Sequence, residues 1–168
     1  DNIDDIKNRF YSFTTEIPDY AQQFIDNRNL NNAPFRQKEF EFRFDPKTKY
    51  IVFPWLFHKS IIYYQYRNVG NNKTRNEKYL FPFGLYRPFF GIDLIDKKIP
   101  YIFITESAFD AMFIVQCIAA GSILLSKKQR KLLKILFPNK EIIFLTDNLK
   151  YDDAARTTIP KLAREFPT

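Results

Sequence analysis

Two acidic residues stand where carboxylates could share a divalent cation. Glu106 follows the apolar run Tyr101-Ile102-Phe103-Ile104-Thr105, and Asp147 follows Glu141-Ile142-Ile143-Phe144-Leu145-Thr146. Asp110 comes one helical turn after Glu106, and Asp152 and Asp153 trail Asp147 within reach of the same edge. Mg2+ takes oxygen ligands and keeps several waters, so one or two carboxylates plus substrate phosphates suffice to hold it. Each acid also has a plainer reading. Glu106 can complement the dipole of a helix first turn, and Asp147-Asn148 can be a strand-to-loop turn. A second constellation is cationic: Arg67, Lys73, Arg75 and Lys78 flank a polar loop next to Tyr63, Tyr64 and Tyr66. Such a loop is either solvated surface or a phosphate-binding strip with aromatic rings at hand for stacking.

The acids need strands to carry them. Short apolar runs rich in β-branched and aromatic residues suit strands buried on both faces, here Tyr101–Thr105 and 141–145. After the first, Ala108, Ala111, Met112, Val115 and Ala119 recur at helical spacing, which predicts a helix over 107–119 with Cys117 on its apolar face and Gly121 as its stop. A short strand is expected at 122–125. Ser126 is placed to cap a helix over 127–136, and Pro138-Asn139 turns the chain into the second acid-bearing strand. A last helix is expected near 153–166, kinked or restarted at Pro160. Alternating strand and helix with short connections implies a parallel sheet with helices on both faces. Ligands bind such sheets beyond the carboxyl ends of the strands, where Glu106 and Asp147 fall.

The first half has another rhythm. Residues 1–30 read as helical, with Pro18 in a first turn and Tyr20, Phe24 and Ile25 as an apolar stripe. Phe40, Phe42 and Phe44 then alternate with polar residues. Strands are expected there, at 50–53 with Pro54 as a stop, and at 60–67, joined by turns at Asp45-Pro46-Lys47 and His58-Lys59. Residues 80–100 form a connector with one helical turn near 92–95. The fold class is therefore α/β: a parallel-sheet lobe over 99–168, preceded by a smaller basic α+β lobe with an antiparallel meander over 1–98.

Composition narrows the partners. The chain has 168 residues, 26 Lys and Arg against 19 Asp and Glu, and a net charge of +7, which favours a polyanion as partner. Cys117 is the single cysteine and His58 the single histidine, which excludes a disulfide framework and a zinc cluster and fits a reducing, intracellular setting. No run approaches the about 18 apolar residues of a membrane helix, and no signal peptide is visible. A chain that starts at Asp1 without Met and ends at Thr168 without an obvious final element reads as a piece of a longer protein.

Taken in order, the motifs resemble those of bacterial-type (DnaG-like) DNA primases. Thr105-Glu106-Ser107-Ala108-Phe109-Asp110-Ala111 resembles the first signature of the Toprim domain, Glu-Gly-x-x-Asp-Ala/Val, and Phe144-Leu145-Thr146-Asp147-Asn148 its second, the Asp-x-Asp strand end. Upstream, Phe24-Ile25-Asp26-Asn27-Arg28-Asn29-Leu30 resembles the primase segment Tyr-Leu-x-x-Arg-Gly-Ile. The stretches Tyr50 to Pro54 with Tyr66-Arg67, Lys78-Tyr79-Leu80, and Gly84 to Asp93 resemble the segments that follow. The resemblance covers nearly the whole chain, and its strength lies in the shared order of several individually weak motifs.

It implies the RNA-polymerase core of a primase, a divergent phage member, in the cytoplasm of a bacterial or phage-infected cell. Its partners would be single-stranded DNA template, ribonucleoside triphosphates and a replicative helicase, with no membrane. By the resemblance Glu106, Asp110 and Asp147 would be the catalytic acids; Glu106 and Asp147 are expected to hold Mg2+ or Mn2+, with Asp152 and Asp153, within reach of the same edge, as further expected ligands. By the resemblance Arg28, Arg67 and Lys78 would bind template or nucleotide phosphates, and Lys73 and Arg75 are expected to join them from the polar loop. Three departures stand out: Ser107 for the usual glycine, Leu149 for the second acid of Asp-x-Asp, and Asp152 where a later glycine falls. A Toprim-type nuclease, or a catalytically decayed module that binds DNA or a helicase, shares much of the same pattern.

Overall fold

The computed structural model of the chain describes residues 3–70 and 77–145. Its first unit ends at Leu85 and its second begins at Tyr86.

A continuous apolar run, Tyr50–Phe57, is the centre of the antiparallel sheet of the first unit, and the alternation expected through Phe40, Phe42 and Phe44 enters the sheet only at Arg43–Asp45. Four strands pair in sequence order: β1 (Arg43–Asp45), β2 (Tyr50–Phe57), β3 (Ser60–Asn68) and β4 (Tyr79–Leu80). Two tight turns set the register. The Asp45 carboxylate accepts from the backbone of Lys47 at 3.1 Å and from the Thr48 hydroxyl at 2.7 Å, and Lys49 takes φ 62°. His58 and Lys59 take φ 48° and 64°, the two positive angles of a type I′ hairpin whose twist matches the flanking strands.

β2 runs through Pro54 rather than stopping there. Proline is tolerated on a strand where its missing N–H faces no partner. β1 pairs only with Tyr50, Ile51 and Val52, so β2 has lost its β1 neighbour by Pro54, which still pairs with Tyr64 of β3.

The helical region expected over 1–30 is two helices, α1 (Ile3–Tyr11) and α2 (Asp19–Asn27), followed by a 3-10 turn at Leu30–Asn32. Between them Thr14 exchanges both backbone hydrogen bonds with Phe44, at 3.0 and 2.9 Å, which draws the chain out of helix and onto the sheet. Phe10 of α1 and Phe13 then pack on Tyr64 and Tyr66 of β3 at 5.6–6.4 Å between ring centres. Arg43 fastens the end of α1 by donating to the carbonyls of Tyr11 and Phe13 at 3.1 and 2.9 Å.

The second unit holds a parallel sheet in the order β6 (Cys117–Ala119), β5 (Tyr101–Thr105), β7 (Glu141–Phe144). The helix expected over 107–119 is a single turn, α3 (Ala108–Ala111), and Cys117–Ala119 is a strand. Small apolar residues at helical spacing also suit a strand closed on both faces, and periodicity alone does not separate the two. Gln116 decides it: at φ 59° it breaks any helix, and its side-chain amide donates to the carbonyls of Tyr101 and Asp96 at 2.9 and 3.1 Å. The strand expected at 122–125 is a bend leading into α4 (Lys127–Leu136). Ser126 and Gln129 close a reciprocal cap at its start, at 3.0 and 3.1 Å. The connections from β5 to β6 and from β6 to β7 step in opposite directions across the sheet. Right-handed crossovers then put α3 and α4 on opposite faces. The helix expected at 153–166 lies outside the described residues.

The division at 85/86 falls earlier than the 98/99 boundary expected from sequence, because residues 86–98 are stitched into the second unit. Phe90 exchanges backbone hydrogen bonds with Ala119 at 2.9 and 3.0 Å, and the Gln129 amide donates to the carbonyls of Pro88 and Ala120 at 2.8 and 2.9 Å. Gly91 sits at φ +86° against β6, where an added Cβ would come within 3.2 Å of the Cys117 carbonyl oxygen. Among the described residues no helix is long and apolar enough to cross a membrane.

Candidate active site

The acidic edge belongs to the second unit. β5 ends at Thr105, whose hydroxyl donates to the Ser107 carbonyl at 3.0 Å, and Glu106 is the first residue beyond the strand. Its backbone is pinned to the residues that follow β6, its carbonyl accepting from Gly121 N–H at 2.8 Å. The side chain is exposed. Ser107 caps α3: its hydroxyl accepts from Phe109 N–H at 3.2 Å. It therefore supplies the cap of the one turn that carries Asp110, which is also exposed.

β7 runs parallel beside β5, with Ile104 opposite Phe144 and Leu145 N–H donating to the Ile104 carbonyl at 2.8 Å. The second acid-bearing strand thus reaches the same sheet edge as Glu106. Asp147, Leu149, Asp152 and Asp153 themselves lie outside the described residues, as do Lys73 and Arg75. Among the described residues no three metal-ligating side chains gather. Glu106 and Asp110 are two hard oxygen donors, a set that fits a hydrated Mg2+ or Mn2+ shared with phosphates and does not form a closed protein cage.

The cationic cluster belongs to the first unit. Arg67 is 7% exposed, in the β3 register position opposite Tyr79 of β4. Its guanidinium carbon lies 5.1 Å from the ring centres of both Tyr79 and Phe24. Arg28, at the end of α2, lies over the same Phe24 ring at 4.6 Å, and Lys78 over Tyr79 at 5.6 Å. Cation and ring alternate: Arg28, Phe24, Arg67, Tyr79, Lys78. Each such contact is worth about 0.5–2 kcal/mol, enough to hold the charges in place. Burial lowers the pKa of Arg67, Tyr79 raises it, and the nearby positive charge of Arg28 lowers it further. Nη1 donates to the Asn68 carbonyl at 2.8 Å, while Nε is buried with no hydrogen-bond partner among the described residues.

The same strand end anchors the stem of the cationic loop. Asn68 N–H donates to the Lys78 carbonyl at 2.9 Å, and the Tyr50 hydroxyl donates to the Glu77 carbonyl at 2.7 Å. Sequence reasoning grouped Arg67 and Lys78 as the flanks of one polar loop and added Arg28 only through a family likeness. It missed Phe24 and Tyr79 as their spacers, for Phe24 reads as helix stripe and Tyr79 as loop end. The adjacency of Lys78 and Tyr79 was the one local signal. The three tyrosines expected to serve for stacking are structural: Tyr63 and Tyr64 are buried, and Tyr66 packs on Phe13.

No family model matches the chain, and no curated protein matches it. Solved structures do. A DnaG catalytic core is 14% identical, with a TM-score of 0.67 over 95% of this chain and 66% of that one. The DnaG primase catalytic domain bound to single-stranded DNA is 13% identical, with a TM-score of 0.69 over 97% of this chain and 65% of that one. The RNA polymerase domain of Mycobacterium tuberculosis primase DnaG, in complex with double-stranded DNA, is 16% identical, with a TM-score of 0.60 over 88% of this chain and 62% of that one. The chain has the fold of a DnaG primase catalytic core and spans 62–66% of the length of these structures.

Proposed function

We propose that this chain is the RNA-polymerase core of a primase, joining ribonucleoside triphosphates into a short RNA primer on single-stranded DNA. The observation that carries this reading is the exposed Glu106 at the carboxyl end of the central parallel strand, in a fold that follows primase cores over 95% of the chain. Glu106 assists metal binding or moves the proton of the attacking 3′-hydroxyl, and Asp110 and Asp147 complete the acidic cluster. Asp152 and Asp153 are the nearest replacements for the acid missing at Leu149. Glu106, Asp147 and the neighbouring acids would hold Mg2+ or Mn2+, which would supply positive charge to the substrate phosphates. Arg28, Arg67 and Lys78 receive template or nucleotide phosphates, with Lys73 and Arg75 of the adjoining loop. The orphaned Nε of Arg67 supports this role, because a buried guanidinium donor gains most from an anionic acceptor. A replicative helicase is the natural further partner, in the cytoplasm of a bacterial or phage-infected cell.

Leu149 favours a second reading, a decayed module that grips DNA or a helicase without chemistry, since leucine ligates no metal. A Toprim-type nuclease is the third. One assay separates them: single-stranded DNA, ribonucleotides and Mg2+ or Mn2+, with Glu106→Gln as control. Primer synthesis that falls about 10²–10⁴-fold in the variant, the usual span for a lost acid–base group, supports the polymerase. Cleavage of the DNA points to the nuclease, and binding without either reaction points to the decayed module.

A further inference from the structure

α4 carries Lys127, Lys128, Arg130, Lys131 and Lys134 and no acidic residue in its ten positions. Lys127, Lys128 and Lys131 are exposed, while Gln129 and Leu133 face the interior. Beside this ridge stands Tyr86, 73% exposed, with the Lys128 ammonium 2.9 Å from its ring centre. A single exposed ring is ordinary on a protein surface, so what marks Tyr86 is its place beside a row of cations. Here a neighbouring cation holds the ring in place while leaving most of it open. Helix packing does not need these lysines, since the inward face is supplied by Gln129, Leu133 and the Ser126 cap.

We infer that the α4 ridge and Tyr86 form a contact surface of the second unit for single-stranded nucleic acid, separate from the Arg28, Arg67, Lys78 cluster of the first. The choice of ligand rests on the polymerase reading above; the surface itself rests on charge and exposure. Lys127 and Lys128 on one turn and Lys131 on the next present ammonium groups to a phosphate backbone, and an open ring accepts a base from a strand whose bases are not already paired. A duplex would use the lysines and leave the ring idle. An acidic peptide would do the same.

The test is fluorescence anisotropy with a labelled 20-nucleotide dT strand, without nucleotides or metal, across a series of salt concentrations. For single strands the logarithmic salt slope changes by about 0.7 per phosphate contact. The triple variant Lys127→Gln, Lys128→Gln, Lys131→Gln should therefore flatten the slope by about 2, with unchanged helical circular dichroism. Tyr86→Ala should reduce the preference for the dT strand over an abasic strand of equal length by fivefold or more, as expected for one lost base stack. A triple variant with the wild-type slope, beside an Arg67→Gln variant that does weaken binding, overturns this inference and leaves the polymerase reading standing. Polyglutamate competing as well as dT overturns the choice of ligand. Wild-type protein that binds neither strand overturns both readings.

Discussion

Arg67 is the residue on which charge and burial are most at odds. The residue is nine-tenths buried, with its guanidinium between Phe24 and Tyr79, and its Nε has no hydrogen-bond partner among the described residues. Removing one partner of a buried hydrogen bond costs about 1–3 kcal/mol, and Arg67→Met leaves the Asn68 carbonyl without its donor, while losing a charge-assisted hydrogen bond to a ligand costs about 1.5–3 kcal/mol. Arg67→Met should therefore lower stability by about 1–3 kcal/mol and weaken nucleotide or single-strand binding by roughly tenfold to a hundredfold. A large loss of stability with intact binding would make Arg67 a structural residue. Cys117 is the second residue-scale case. Burial pushes its thiol up to about 11 from an ordinary 9.0, opposed by its contacts with Thr105. The unfolded chain releases that proton first, so the stability tied to the neutral thiol is complete below pH 9 and is lost between pH 9 and about 11. Denaturant titrations should show a fall of about 2–3 kcal/mol across that window that Cys117→Ala lacks.

At the scale of elements, α4 and the β2–β3 hairpin show where local sequence is strong and where it is strained. Ser126→Ala removes one half of the reciprocal cap and should cost about 1 kcal/mol in chemical denaturation. Gln129→Ala should cost more, about 2–3 kcal/mol, because it also leaves the Pro88 and Ala120 carbonyls buried without their donor. The hairpin runs the other way. His58 and Lys59 are both forced to positive φ in a turn that prefers Asn-Gly, so His58→Asn with Lys59→Gly should stabilise the first unit by about 1 kcal/mol or more. These elements were legible to different degrees. The cap of α4 and the bounds of β5 stand in the sequence because caps and apolar runs act within a few residues. The strand at Cys117–Ala119 does not, because its residue types suit a buried helix equally and only the long-range bonds of Gln116 select the strand.

At the scale of the molecule, the two units meet in sequence at an exposed stretch. Phe83 is 97% exposed, next to Gly84 at φ +77°, and Leu85 and Tyr86 end and begin the units. Limited chymotrypsin digestion should cut first after Phe83 and release fragments that mass spectrometry assigns to the two units, since nicking favours exposed segments where few contacts cross. Early cleavage within β2 or β5 instead would contradict this division. The net charge of +7 acts at the same scale, setting a salt-sensitive attraction to polyanions that no single lysine accounts for.

By itself the sequence determined the antiparallel meander, the bounds of β5, the capped α4 and the strand end at Glu106. All of these follow from side-chain periodicity and from hydrogen bonds between near neighbours. Only the tertiary structure decided that residues 86–98 belong with the second unit, that β2 passes through Pro54, and that Arg28, Arg67 and Lys78 share two aromatic rings. Those outcomes depend on which strand lies opposite which, and pairing register between distant segments is written in no local pattern.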